Sequence, residues 1–344
     1  MFENAGRTEI SSLGEFGLIE HLSKNFTIQN NTQLGIGDDA AVITPTEGYQ
    51  TLVSTDLLVE GVHFDLSYFP MKHLGYKAVV VNLSDIYAMN GKPKQVTVSL
   101  ALSSRFSLEA VEELYAGVQL ACERYRVDLV GGDTSTSKQG LMISVTAIGE
   151  AKSADIAYRS GAKVHDLVVV TGDLGGAYCG YQLLEREKRV YLDNPSVQPD
   201  LGGFDYIIER QLKPEARKDI YEILKTLHIK PTAMMDISDG LASECFHIGK
   251  ASQVGMSLYE EKIPIDPSTY NFARELDLDP TLCALSGGED YELLFTIDQS
   301  DFKKIEHHPD FSIIGYVNEK SDGMNLITKS GNKHALKAQG WTAF

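Results

Sequence analysis

Positive charge is scarce in this chain: 31 Lys and Arg stand against 48 Asp and Glu, a formal net charge of -17 over 344 residues. Nucleic acids and anionic membranes bind through a basic face, so both are excluded as partners. An anionic small molecule is not excluded, provided that metal ions carry the positive charge. Cysteine is sparse as well: Cys122, Cys179, Cys245 and Cys283 lie far apart with no C-x-x-C pair. That pattern reads as buried or idle thiols in a reducing compartment. Long apolar runs are missing, since stretches such as AVVV at Ala78 to Val81 are far too short to span a bilayer. The opening MFENAGRTEISSLGEF has neither a basic n-region nor an apolar h-region, so no signal peptide is expected and the cytoplasm is the expected location. Several catalytic signatures are also absent. There is no G-x-x-x-x-G-K-[ST] P-loop, no H-R-D or D-F-G pair, no G-x-S-x-G elbow and no H-E-x-x-H helix.

What remains is ordinary in bulk. Hydrophobic residues make up 43% and charged residues 23%, the composition of a soluble globular protein long enough for two domains. Periodicity predicts a short amphipathic helix near Glu15 to Lys24 and a helix over Leu74 to Met89. VTVSLAL (Val96 to Leu102) alternates as a half-buried strand. A helix over Ser107 to Tyr125 places Leu108, Val111, Tyr115, Val118, Cys122 and Tyr125 on one stripe. Strands VDLVG and LMISVTAIGEA follow, and the turn-rich YRSGAKVHD marks a domain boundary, giving domains 1–153 and 154–344. Beyond it, strands are expected at Leu167 to Thr171, Thr232 to Met235, Tyr291 to Ile297 and Phe311 to Val317. Helices are expected up to about Lys188 and from Asp239, with a long surface loop over Tyr191 to Gly203. Both halves are mixed α and β.

The stretch GIGDDAAV (Gly35 to Val42) satisfies a dinucleotide fingerprint, yet Asp38 and Asp39 would repel the pyrophosphate that such glycines cradle. Other acids recur beside glycine, serine or threonine at the ends of apolar runs: Asp56 in STDLLVEG, Asp85 in NLSDIYAM, Asp133 in GGDTS, Asp236 and Asp239 in DISDGL, and Glu289 and Asp290 in SGGEDYEL. Each alone reads as a cap or a turn former. As a set, with the hydroxyls of Ser54, Thr55 and Ser238 nearby, they offer hard oxygen ligands suited to Mg²⁺ bound together with phosphates. His63 in EGVHF lies beside the Asp56 cluster, and its position alone fits a structural role as well as a functional one. His307 and His308 read as surface.

Read together, LGIGDDAAV, STDLLVEGVHF, YKAVVVNLSDIYAMNGKPK, GGDTS, YRSGAK, TGDLGGA, DISDGL and SGGEDYELLFT resemble the thiamine-monophosphate kinase family, in that family's order, from about Leu34 to Thr296. The resemblance implies a mixed α/β, two-domain aminoimidazole ribonucleotide synthetase-like fold. The N-terminal domain would bind ATP and Mg²⁺ and pair its strands in a homodimer, and the C-terminal α/β domain would complete a site in the cleft between them. It implies transfer of the γ-phosphoryl of ATP to thiamine monophosphate, with thiamine diphosphate as product. Carried over by position, Asp39, Ser54, Thr55, Asp56, Asp85, Asp133, Asp236 and Asp239 are expected magnesium ligands, with Asp56, Asp85 and Asp239 central to catalysis. Gly132, Asp133, Arg159 and Ser238 are expected at the nucleotide, and His63, Glu289 and Trp341 at the substrate. Trp341, the single tryptophan, is also explained by packing of the last segment onto the core. Tyr115 falls near a family position that touches ATP but lies on the apolar stripe, which favours core.

Among related activities, selenophosphate synthetase needs an early Cys or selenocysteine, and a hydrogenase-maturation protein needs a C-terminal Cys. The first and last cysteines here are Cys122 and Cys283. Aminoimidazole ribonucleotide synthetase fits the fold, but LVEG-x-HF and GGEDYEL point away from it. A non-catalytic relative would be expected to have lost some of these acids, and none is lost. A metal-dependent phosphatase would release phosphate from ATP without an acceptor.

Overall fold

A computed structural model gives the fold, and residues 8–36 and 40–338 are described. The chain forms two compact units, Met1–Ile86 with Gly91–Ala154, and Tyr87–Asn90 with Asp155–Phe344.

In the first unit, α1 (Gly14–Ser23) precedes a short antiparallel pair, β1 (Thr32–Leu34) and β2 (Val42–Ile43). Then come β3 (Tyr49–Val59), α2 (Met71–Ala88), β4 (Lys92–Leu102), α3 (Leu108–Tyr125), β5 (Asp128–Thr136) and β6 (Met142–Lys152). The long strands form one sheet in the order β3-β6-β4-β5, with β3 and β5 at its edges. β6 runs antiparallel to β3 from Tyr49↔Lys152 to Val59↔Met142, whereas β4 and β5 are parallel. The alternation seen in VTVSLAL extends through both β4 and β6: Ile143, Val145 and Ala147 are buried and their neighbours are not. α2 covers that buried face, where a side chain on Gly149 of β6 would collide with Ile86. α3 packs so tightly on α2 that a Cβ on Gly75 or Gly117 would meet the other helix's backbone. Ser107 caps α3 by accepting from the Ala110 N–H, and Arg126 closes it in the left-handed region at φ 57°. On the opposite sheet face Val53 and Leu57 of β3 are 64% and 53% exposed.

The second unit carries β7 (Leu167–Thr171), α4 (Gly176–Asp193), α5 (Asp205–Leu212), α6 (Lys218–Thr226), β8 (Ala233–Asp236), α7 (Leu241–Ser252) and β9 (Gly255–Tyr259). It continues with α8 (Pro267–Glu275), α9 (Pro280–Ser286), β10 (Leu293–Ile297), α10 (Phe302–Ile305), β11 (Phe311–Asn318), β12 (Met324–Ile327) and β13 (Lys333–Ala335). The sheet order is β13-β12-β9-β11-β7-β10-β8, antiparallel except for β12 on β9. Its centre is buried on both faces, so β7 is a continuous apolar run: Val168 and Val170 join one core with α7 and α9, and Val169 joins another with α6. A third core links α4, α5, α8 and α9 through Cys179, Leu183, Ile207, Phe272 and Cys283. All four cysteines are free and buried.

Two differences from the sequence reading stand out. The expected loop over Tyr191 to Gly203 begins later, because α4 runs to Asp193. Strands β9, β12 and β13 were not anticipated; each is five residues or fewer, too short to show a period. Among the described residues no helix is long and apolar enough to cross a membrane.

Candidate active site

In the first unit, Ser54 and Asp56 face inward with Leu52 and Leu58, because side chains alternate along β3. There Ser54 Oγ donates to Asp85 Oδ2, and the Asp56 N–H donates to Asn82 Oδ1 at 2.9 Å. Asp85 is the partly exposed position in an otherwise buried stretch of α2. Burial, and then the Asp85 charge, push the Asp56 carboxyl up to about 6. Neighbouring carboxylates that oppose each other's ionisation mark a place that lacks positive charge. A hydroxyl and two carboxylates are all hard oxygen donors, so this group fits a magnesium ion by its chemistry. The Thr55 hydroxyl points to the other sheet face, where it donates to Val145 O at 3.0 Å and accepts from Thr146 Oγ1 at 3.1 Å. Of three consecutive expected ligands, therefore, two side chains meet Asp85 and the third does not.

Gly132 and Asp133 lie on β5 opposite Val98 and Ser99. A side chain at Gly132 would strike the Val98 carbonyl, a packing reason for glycine that needs no nucleotide. Asp133 is exposed. His63 sits in the turn after β3: its N–H donates to Val59 O at 2.9 Å, and its Nδ1 accepts from the Val59 N–H at 3.0 Å. An accepting Nδ1 places the ring proton on Nε2. Asp39 and Trp341 lie outside the described residues. The segment that leads to the Asp39 loop is anchored by Asp128, which sequence reasoning passed over. Asp128 is 1% exposed and accepts from the Gln29 N–H (2.6 Å), the Asn30 N–H (3.0 Å) and Thr32 Oγ1 (2.8 Å). Its signal was an acid inside an apolar strand, which must find donors to be buried.

In the second unit, β8 ends at Asp236, which is 4% exposed, and the chain turns through Ile237–Gly240 into α7. Glu244, in the first turn of α7, reaches back: its Oε1 accepts from the Ser238 N–H (3.1 Å) and the Asp239 N–H (2.7 Å). That is capping-box logic displaced by one residue. Burial pushes Glu244 up to about 7. Asp239 is raised chiefly by burial; the charges of His247 and Arg159 lower it and that of Glu289 raises it. The fold thus brings Arg159 and Glu289 within electrostatic range of Asp239.

The SGGEDYEL loop is laced onto this turn. The Glu289 N–H donates to Ser238 O at 2.7 Å, the Tyr291 N–H to Ile237 O at 2.9 Å, and the Ile237 N–H to Glu292 O at 2.8 Å. Glu289 and Tyr291 have φ of 58° and 52°. Left-handed backbone at two non-glycine residues carries strain that only such cross-bonding maintains, and strain of this kind concentrates at functional loops. Gln211 of α5 donates to Glu289 Oε2 at 3.1 Å. Beneath the loop, Glu292 accepts from Thr171 Oγ1, Arg210 and Arg217, and Asp290 accepts from the Gly175 N–H at 2.8 Å. Arg159 is exposed on a turn that Ser252 Oγ holds by accepting from the N–H groups of Gly161 and Ala162, both at 3.1 Å. Among the described residues, no three His, Cys, Asp or Glu side chains gather as a ready-made metal cage.

Residues 37–151 match the family described as AIR synthase related protein, N-terminal domain. Thiamine-monophosphate kinase of Bacillus subtilis is 35% identical, over 96% of this chain and 100% of its own. The Aquifex aeolicus protein of the same name is 36% identical, over 97% and 99%. Among solved structures, one described as AaThiL complexed with AMPPCP and TMP superposes with a TM-score of 0.74 at 32% identity, covering 99% of this chain and 100% of that one. A thiamine-monophosphate kinase from Stenotrophomonas maltophilia K279a superposes at 0.79 and 28%, covering 93% and 98%. The hydrogenase maturation protein HypE shares the fold at 20% identity, with a TM-score of 0.74. Near-complete coverage at these identities, on the fold just described, makes this chain a member of the thiamine-monophosphate kinase family.

Proposed function

We propose that the chain transfers the γ-phosphoryl group of ATP to thiamine monophosphate in a Mg²⁺-dependent, direct in-line reaction that yields thiamine diphosphate and ADP. The near-full-length similarity to kinases of that name carries this reading, one of them described with an ATP analogue and TMP.

The nucleophile, a phosphate oxygen of thiamine monophosphate, is already anionic at neutral pH, so no general base is required. The obstacle is the approach of two polyanions. In the first unit Ser54, Asp56 and Asp85, with Asp133 and Asp39, would hold Mg²⁺; in the second, Asp236 and Asp239 would do so. Thr55, its hydroxyl turned away, has its main-chain carbonyl to offer. Bound there, the cation would neutralise the phosphates and align them for in-line displacement. Asp56, Asp85 and Asp239 keep the negative charge that retains it. Arg159 adds permanent positive charge for the nucleotide phosphates, Ser238 adds a hydroxyl contact, and Gly132 and Asp133 are further nucleotide contacts. His63, Glu289 and Trp341 bind thiamine monophosphate. Transfer is direct, without a phosphoenzyme.

The same reading makes 1–153 the ATP- and Mg²⁺-binding and dimerisation domain, with 154–344 supplying the remaining active-site residues. It takes the protein to be a cytoplasmic homodimer, in keeping with free thiols and with the exposed Val53 and Leu57 on an edge strand. Asp56→Asn and Asp85→Asn test the metal account. Each is expected to lower turnover by about a hundredfold or more at saturating Mg²⁺ while the melting temperature holds, a barrier change of about 3 kcal/mol. Wild-type turnover in both variants would refute it.

A further inference from the structure

Asn82 is 0% exposed on α2, one helical turn before Asp85. Its Nδ2 donates to Ala78 O at 3.0 Å, in the preceding turn of its own helix. That bond fixes which end of the amide faces outward, and Oδ1 accepts from the Asp56 N–H of β3 at 2.9 Å. The amide thus ties the main chain of β3 at Asp56 directly to α2. Packing alone does not explain an amide here. A leucine has similar volume, and a buried amide is tolerated only when its polar ends are bonded, as both ends of this one are. Residues three apart on a helix share a face, so a short rigid path joins two carboxylates: the Asp56 backbone, the Asn82 amide, one turn of α2, and Asp85. Ser54, two residues before Asp56 on the same strand face, makes the second tie by donating to Asp85.

We propose that Asn82 is a positioning residue that sets the separation of Asp56 and Asp85, and so their capacity to share one divalent cation. It acts through the main chain of Asp56 and needs no contact of its own with substrate. The inference rests on the reading of these acids as metal ligands.

The test uses the full chain with Asn82→Leu, Asn82→Ser and, as a control, Asp85→Asn. Three quantities are compared with wild type: hydrogen exchange of the Asp56 amide, Mn²⁺ binding by electron paramagnetic resonance with a non-hydrolysable ATP analogue, and the rate as a function of Mg²⁺. In Asn82→Leu the Asp56 amide is expected to lose protection. Mn²⁺ affinity should fall about tenfold or more, as for residues that orient metal ligands, and half-saturating Mg²⁺ should rise to match. The KM for thiamine monophosphate should stay within about twofold, with most of kcat recovered at high Mg²⁺. Should Asn82→Leu not fold, Asn82→Ser carries the same expectation, because its side chain is too short to reach the strand. A folded variant with wild-type Mn²⁺ affinity overturns the proposal. So does a loss of kcat that Mg²⁺ fails to restore, which a merely structural role would produce. If Asp85→Asn also binds Mn²⁺ normally, the error lies in the metal-ligand reading; if only Asp85→Asn is impaired, it lies with Asn82.

Discussion

Gln211 shows what single side chains contribute beyond the acids themselves. It is 5% exposed and donates to Glu289, whose backbone is already fixed in a left-handed turn by the Ser238 carbonyl. The carboxylate that the proposed function assigns to the substrate is thereby constrained at both main chain and side chain. Gln211→Leu is expected to raise the KM for thiamine monophosphate roughly tenfold, the worth of one hydrogen bond to a charged group, and to leave the KM for ATP unchanged. Steady-state kinetics with each substrate varied in turn decides this; equal changes in both constants would remove Gln211 from the substrate side. Glycine and serine neighbours marked a strand end and turn at Asp236 and Asp239, whereas Asp56, Asp85 and Asp133 lie inside β3, α2 and β5, not at loop edges. Asn82, Asp128, Gln211 and Glu244 were not legible in the sequence, since an amide or a second-line carboxylate acquires its role only from a partner that folding brings to it. The Thr55 hydroxyl is turned away from Asp85 for a related reason: adjacency in sequence puts successive strand residues on opposite faces.

Between elements, buried charge does the joining. Asp290 links the SGGEDYEL loop to the start of α4 through the Gly175 N–H, and Glu292 ties Arg210 of α5 to Arg217 ahead of α6. Burial outweighs Arg210 and pushes the Asp290 carboxyl up from its ordinary 3.8 to about 7. Between those values the folded chain holds a proton that the unfolded chain has released. The stability from this group is therefore complete below the unfolded value and drains away as pH rises towards the folded one. Asp290→Asn keeps an acceptor and removes the titration. Thermal melts from about pH 5 to about pH 8 should show the variant gaining on wild type as pH rises, and parallel curves would contradict the assignment. Elements with a clear period were readable in advance. β7 was placed at its observed bounds because a strand buried on both faces is a bare valine run, and α3 to within one residue because its apolar stripe runs the length of the helix. GMSLY of β9 and the three residues of β13 carry no such pattern and depend on neighbours to become strands.

At the scale of the whole molecule, the mixed α/β class was readable from the helix and strand patterns in both halves, and the chain changes unit after Ala154. The seven-strand order with its single parallel pair was not readable, because strand order depends on contacts between segments far apart in sequence. Val53 and Leu57 face outward from an edge strand, an apolar surface that a second copy would cover. Replacing both with lysine is expected to convert a dimer to a monomer by light scattering, and a monomeric wild type would remove the proposed assembly. The central claim concerns the reaction itself. Purified protein incubated with ATP, Mg²⁺ and thiamine monophosphate, with thiamine as the control acceptor, can be assayed for thiamine diphosphate by fluorescence of its oxidised form after chromatography. The account predicts thiamine diphosphate from the monophosphate alone, abolished by EDTA; ADP formed with no thiamine diphosphate, or only with a purine-pathway amidine acceptor, would contradict it.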